Sequence, residues 1–204
     1  MANTHTYLIL ALISLVVIIC YLLYKNTKLY KEKQKIENSV RQWKRMALTD
    51  DLTKLSNRMS FNLRIDMMKR EKQNCLVGIL LFDIDNFKLV NDVEGHLAGD
   101  KKLKEVAILL MEVFDSPKTV VYRFGGDEFA VITKDMGEEE IIALLLKIRE
   151  YERENGNFSL SKGYAMVNVQ NTQGIEKAID RADEMMYADK LLKHKKMKKD
   201  EKIS

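Results

Sequence analysis

Two adjacent glycines, Gly125 and Gly126, separate the apolar, β-prone runs Val120–Phe124 and Phe129–Thr133, and so fold one run back on the other as a tight hairpin. Asp127 and Glu128 follow the glycines directly. A tip without bulky side chains exposes backbone and acids together, an arrangement suited to a cation and a polyphosphate. An ordinary solvated hairpin has the same local pattern, so the turn alone does not decide.

A second acidic cluster lies upstream. Asp83-Ile84-Asp85-Asn86-Phe87-Lys88 closes the apolar run Cys75–Phe82, whose length and β-branched content predict a buried strand. Asp83 then stands near the carboxyl end of that strand, where a side chain can meet a ligand. Asp83 and Asp127 together suit one hard cation, because Mg²⁺ takes one or two protein carboxylates and fills its shell with phosphate and water. Without metal the two carboxylates would repel and one pKa would rise. The plainer alternative is that Asp83 and Asp85 cap the helix that follows.

Three apolar stripes at helical spacing supply core. They are Leu103, Val106, Ala107, Leu110 and Phe114; Ile141, Leu144, Leu145 and Ile148; and Ile175, Ala178, Ile179, Ala182 and Met186. Strands are expected near Cys75–Asp83, Val120–Phe124, Phe129–Thr133 and Phe158–Met166. Their irregular alternation with helices suits an α+β fold with a mostly antiparallel central sheet.

The spaced blocks extend beyond the two acidic clusters. Asp50-Asp51-Leu52-Thr53-Lys54-Leu55-Ser56-Asn57-Arg58, Phe87-Lys88-Leu89-Val90-Asn91-Asp92, Gly95-His96-Leu97-Ala98-Gly99-Asp100, Gly125–Phe129 and Ala182-Asp183-Glu184-Met185-Met186-Tyr187 occur in one order between about Leu48 and Lys190. The set resembles the GGDEF-domain family of diguanylate cyclases. That resemblance implies a palm-like, nucleotidyl-cyclase-like sheet flanked by helices. It also implies Mg²⁺-dependent condensation of two GTP into cyclic di-GMP with release of two pyrophosphates, Mn²⁺ being an alternative metal. Residue by residue, it assigns metal binding to Asp83, the carbonyl of Ile84 and Asp127. Asp127 becomes the general base, Glu128 its neighbour, and Lys88 a cation on phosphate. Substrate contacts fall to the amides of Asn86 and Phe87, to Asn91 and Asp100 as guanine readers, to His96, and to Lys190 on phosphate. Capping roles for Asn91 and Asp100 and a surface role for His96 are the plain alternatives. Asp50 and Arg58 match an acid and a base that staple the turn before the first helix. Arg123 reads equally as an outward strand residue or a phosphate-side charge.

The chain departs from the family pattern in three places. The usual Gly-Arg-Asn after Lys190 is replaced by Lys193-His194-Lys195, leaving Lys193 or Lys195 to supply the missing charge or to form part of a solvated Lys-rich end. The family's Arg-x-x-Asp product-inhibition window reads Ser116-Pro117-Lys118-Thr119, so feedback inhibition through it is not expected. The segment from Phe129 to Ser161 is shorter than usual.

Ahead of these blocks, Tyr7–Tyr24 is an uncharged run of eighteen residues, twelve of them Leu, Ile or Val. Each such residue favours insertion by roughly 0.3–0.6 kcal/mol at a central position. As a helix the run spans about 27 Å, close to the thickness of a bilayer core. A cleaved signal peptide would need a basic start and a small-residue cleavage site. Met1–Thr6 holds no Lys or Arg, and Tyr21-Leu22-Leu23-Tyr24 is bulky, so an uncleaved anchor is expected. With six residues ahead of the run, a sensor fold outside the membrane is not expected.

Lys25–Arg45 carries eight Lys/Arg and two Glu, a net of +6, which by the positive-inside rule predicts that the following domain lies in the cytoplasm; the resemblance implies a bacterial cytoplasmic (inner) membrane. The chain's overall charge is +4, so the region after Arg45 is −2 (+4 minus +6), and the basic pI gives no indication of nucleic acid. Cys20 and Cys75, the two cysteines, imply no disulfide framework. Leu29, Ile36, Val40, Trp43 and Ala47 recur at steps of seven, or four and three, with Lys33 interrupting the seam. That pattern suits either a short parallel coiled coil or a solvated linker helix. The expected organisation is an anchor at 1–24, a basic linker at 25–47, the GGDEF domain at 48–192 and a Lys-rich tail at 193–204. A homodimer through linker and domain is expected, because one such site holds one GTP. A catalytically inactive nucleotide receptor or membrane scaffold is the alternative function. Neither the input signal nor the downstream effector can be read.

Overall fold

The computed structural model describes residues 2–71, 75–169 and 172–200. Met1 and the last four residues of the expected tail, 201–204, lie outside the described residues. The chain forms two compact units, Met1–Ala47 and Leu48–Ser204.

The first unit is essentially one helix, α1 (Ala2–Leu48). It contains neither Pro nor Gly, so nothing in its backbone chemistry interrupts the ladder. It is long and apolar enough to cross a membrane. The apolar run and the seam residues Leu29, Ile36, Val40 and Trp43 are all exposed along it.

The second unit begins with β1 (Ser56–Asn57), α2 (Arg58–Glu71), β2 (Leu76–Ile84), α3 (Phe87–Glu94) and α4 (His96–Val113). It continues with β3 (Thr119–Arg123), β4 (Glu128–Lys134), α5 (Glu138–Asn155), β5 (Leu160–Asn168) and α6 (Thr172–Asp200). The five strands form one sheet in the order β1-β3-β4-β2-β5. β1 runs parallel to β3, and every other pairing is antiparallel. The four longer strands lie within about two residues of their expected positions, whereas β1 is too short to leave a periodic signal.

The sheet is covered on both faces, which is why β2 reads as one apolar run rather than an alternation. Its even-numbered residues Leu80, Phe82 and Ile84 join Leu103, Val106 and Leu110 of α4 and Ile141 and Ile148 of α5. Its odd-numbered residues Val77, Ile79 and Leu81 join Phe61 and Ile65 of α2 and Ile175, Ala178 and Ala182 of α6. All three predicted stripes are therefore core. Tyr122 packs edge-on to Phe61 at 5.4 Å, and burial pushes its hydroxyl pKa up to about 12.

α6 lies so close to β5 that a Cβ on Gly163 would stand 2.1 Å from the Ala182 carbonyl oxygen and 2.4 Å from the Met186 nitrogen. Both obstacles are backbone and cannot rotate away. Gly163→Ala should therefore destabilise the domain by about 1–3 kcal/mol, read as a lowered urea midpoint. Gly126→Ala, whose Cβ would meet nothing within 4 Å, should shift that midpoint by less than about 0.5 kcal/mol.

Candidate active site

The antiparallel register of β2 on β4 sets Phe82 opposite Phe129 and Asp83 opposite Glu128. Both phenylalanines are fully buried, so the last core layer of the sheet directly abuts the acids. The Ile84 amide donates to the Asp127 carbonyl at 3.2 Å, holding the turn against the end of β2. Asp83 is buried and accepts from Lys190 Nζ of α6 at 2.6 Å. Burial and the neighbouring Asp83 charge raise the pKa of Asp127. Burial and the charges of Asp127, Asp83 and Asp183 raise that of Glu128, with Arg58 opposing them. Burial disfavours the Lys190 cation, but its hydrogen bond and attraction to Asp83 outweigh burial and raise its pKa. Asp83, Asp127, Glu128 and Lys190, four of the residues singled out from the sequence, thus form one electrostatic cluster.

The turn closes through the Phe124 and Gly125 amides, which donate to the Glu128 carbonyl at 2.8 and 3.1 Å. Neither turn glycine has a positive φ. A Cβ on Gly125 would lie 2.2 Å from Glu128 Oε2, so a larger residue there would push the Glu128 carboxylate aside. Arg123 resolves as structural. Its guanidinium donates to both Asp50 oxygens at 3.1 Å and to the Gly126 carbonyl at 2.7 Å. Burial would raise the Asp50 pKa, but the Thr53 hydroxyl and amide together with Arg123 bring it below the usual value. The expected staple is therefore corrected. Asp50 pairs with Arg123, while Arg58 places its guanidinium 4.8 Å from the centre of the Phe124 ring.

α3 is preceded by Asn86, whose φ of 58° is left-handed and whose side chain makes no capping bond. Asp83 and Asp85 do not cap it either. Asn91 lies inside α3 and Asp100 inside α4, so neither is a helix cap. α4 approaches α3 so closely that a Cβ on Gly99 would fall 2.0 Å from Asn91 Oδ1. Asn91 therefore sits against the turn that carries Asp100. Lys88 and His96 are exposed and form no hydrogen bond or ion pair with any described residue.

Sequence reasoning left the partners of Asp85 unseen. Its carboxylate accepts from the hydroxyls of Ser159 and Ser161 and from Lys193 Nζ at 3.0 Å. Lys193 also donates to Ser159 Oγ at 3.0 Å and to the Leu160 carbonyl at 2.6 Å, so all three of its protons have acceptors. Burial alone would raise the Asp85 pKa, but these donors lower it. Lys193 is thus committed to the protein. α6 runs through 193–195 without a break, leaving Lys195 exposed. The i, i+3 spacing of Lys190 and Lys193 was the available signal, placing both on one helix face.

The donor set fits a hard divalent cation that arrives with phosphate. Asp83 and Asp127 offer two carboxylates, and among the described residues no cluster of three or more acidic, His or Cys side chains would cage a metal by itself.

A carboxyl whose pKa is raised by folding contributes a stability loss that grows as pH rises through that range and is fully present above it. Asp127→Asn should therefore raise the melting temperature of the cation-free protein at pH 7. The gain should disappear below about pH 3.9, the ordinary Asp range, where both folded and unfolded wild-type chains are protonated.

The family described as "Diguanylate cyclase, GGDEF domain" matches residues 47–196. The probable diguanylate cyclase DgcI of Escherichia coli K12 is 40% identical over 144 residues, covering 71% of this chain and 31% of that protein. Diguanylate cyclase DgcN of the same organism is 38% identical over 153 residues, covering 70% of this chain and 37% of its own length. The chain thus spans about a third of the length of these two relatives. The structure of the coiled coil and GGDEF domain of DgcB from Caulobacter crescentus, in complex with c-di-GMP, superposes with a TM-score of 0.73. It has 27% identity and covers 83% of this chain and 94% of that one. The sheet order, the acidic turn opposite Asp83 and these relatives agree, and the chain belongs to the GGDEF-domain family of diguanylate cyclases.

Proposed function

We propose that the chain is a membrane-anchored diguanylate cyclase that joins two GTP into cyclic di-GMP and releases two pyrophosphates as a dimer of GGDEF domains. The observation that carries this reading is the cluster of Asp83 and Asp127 with Lys190, beside the uncapped start of α3. In each half-reaction a 3′-hydroxyl attacks the α-phosphate of the facing nucleotide. One phosphodiester bond forms, one α–β anhydride breaks, and the hydroxyl proton leaves to a base.

Asp83, the Ile84 carbonyl and Asp127 would hold Mg²⁺, or Mn²⁺ in its place. Bound metal supplies charge neutralisation on phosphate and acidifies the attacking hydroxyl. Asp127, at the turn opposite Asp83, is the protein group that would take the proton. Glu128 adds negative charge beside it. Lys190 balances Asp83 in the free protein and turns to phosphate when nucleotide arrives. The exposed Lys88 adds a point cation, and the amides of Asn86 and Phe87 add donors where the α3 dipole favours an anion.

Guanine is read by Asn91 and Asp100, with His96 as a further substrate contact. A carboxylate accepts from the N1–H and 2-amino group of guanine, and adenine presents no such pair. Asp100→Ala should reduce the preference for GTP over ATP roughly 10–100-fold in a competition assay.

The organisation that serves this chemistry is an anchor at 1–24, a linker at 25–47, the cyclase domain at 48–192 and a tail at 193–204. The basic flank supports an orientation with the domain on the cytoplasmic side of a bacterial inner membrane. The anchor and the α1 seam bring two domains together at an effective concentration on the order of millimolar. Removing residues 1–45 should lower turnover at dilute protein and leave GTP binding intact; unchanged turnover would refute the role of α1. Purified full-length protein with GTP and Mg²⁺ should form cyclic di-GMP, and Asp127→Ala should abolish product. A dimeric, GTP-binding preparation without product would instead identify a nucleotide receptor.

A further inference from the structure

A cleft of about 410 Å³ lies between α5, β5 and α6, at the sheet edge where β5 has no strand neighbour. Ile142 and Leu146 of α5 and Met185 and Leu192 of α6 line it. They are 41%, 52%, 47% and 66% exposed, so the described chain leaves this apolar surface uncovered.

The charges around the cleft are unevenly satisfied. Lys162 pairs with Glu152 at 2.7 Å, and Lys193 lies 3.5 Å from Asp189 in addition to its bond to Asp85. The same two acids also occupy the free edge of β5. Glu152 accepts from the Leu160 amide at 2.6 Å, and Asp189 accepts from the Lys162 amide at 3.1 Å. Those contacts block strand addition along that stretch. Arg149, on the same wall, makes no hydrogen bond or ion pair with any described residue. The cleft therefore combines an apolar floor with one uncompensated guanidinium.

Its volume falls within the range of small-molecule sites. We infer that this cleft binds a compact amphipathic monocarboxylate from solution, its apolar body against Ile142, Leu146, Met185 and Leu192 and its carboxylate on Arg149. Guanidinium suits that head because it donates two parallel hydrogen bonds to a carboxylate. Lys193 lines the cleft and also holds Asp85, so the ligand shares a wall with the α6 turn that carries Lys190.

The test needs no GTP turnover and so is independent of the proposed activity. Full-length protein in phosphatidylcholine nanodiscs is titrated with 2-naphthoate while the Met185 methyl signal is followed by NMR. A saturable shift is expected. Neutral 2-naphthamide, of the same shape, should bind at least about 10-fold more weakly. Arg149→Gln should weaken naphthoate to the level of the amide and leave the amide unchanged, whereas Leu146→Glu should abolish both. Equal affinities for acid and amide, naphthoate binding unaffected by either substitution, or no shift at Met185 would overturn the inference. A saturable shift produced by phosphatidylglycerol discs without naphthoate would overturn it too, by assigning the cleft to lipid.

Discussion

The pairing register of β2 with β4 is the constraint on which the site depends. Side chains alternate across a strand, so a one-residue slip would carry Asp83 to the other face of the sheet and drive Phe82 or Phe129 out of the layer it fills into the opposite one. Each phenylalanine contributes roughly 1.5–3 kcal/mol by burial, and Leu80, Val131 and Ile132 resist the same slip. The acids never have to hold themselves in place. The apolar layer beside them fixes their positions, and the Ile84–Asp127 backbone bond extends the ladder one step into the turn.

That rigidity gathers like charge. Asp83, Asp127, Glu128 and Asp183 converge where two of them already resist ionisation, and Lys190 is the cation that reaches in. Such a cluster lowers stability in the free protein and raises affinity for whatever neutralises it, the usual tension between stability and function. Supports hold the neighbouring segments. Arg123 ties the turn to Asp50, Lys193 ties the end of β2 to β5 and α6, and Gly99 lets α4 press Asn91 into position. Lys88 of α3 and His96 at the start of α4 are exposed.

Much of this was readable from the chain because its signals are local. Apolar period gave three helices and four strands, and the spacing of the Asp83 and Asp127 blocks gave the acids. The supports were not readable, since each depends on residues far apart in the chain. Arg123 reaches 73 positions back to Asp50, and Lys193 reaches 108 positions to Asp85. The family resemblance offered Arg58 with Asp50 as the staple of the turn, and the fold gave the pairing with Asp50 to Arg123 of β3. Helix boundaries misled in the same way. Asp100 resembles an N-cap in sequence, but α4 begins four residues earlier at His96. α6 runs on through 193–195, where lysine continues a helix that the family's glycine would end.

The central claim is that Asp83 and Asp127 are held together in order to be neutralised by a cation–nucleotide complex. A carbon-detected NMR titration of the Asp127 carboxyl tests it most directly, first without ligand and then with Mg²⁺ and a non-hydrolysable GTP analogue. The free protein should titrate above the ordinary Asp value of about 3.9, and the complex clearly below the free protein. An ordinary pKa in the free protein, unmoved by Mg²⁺ and nucleotide, would contradict the claim.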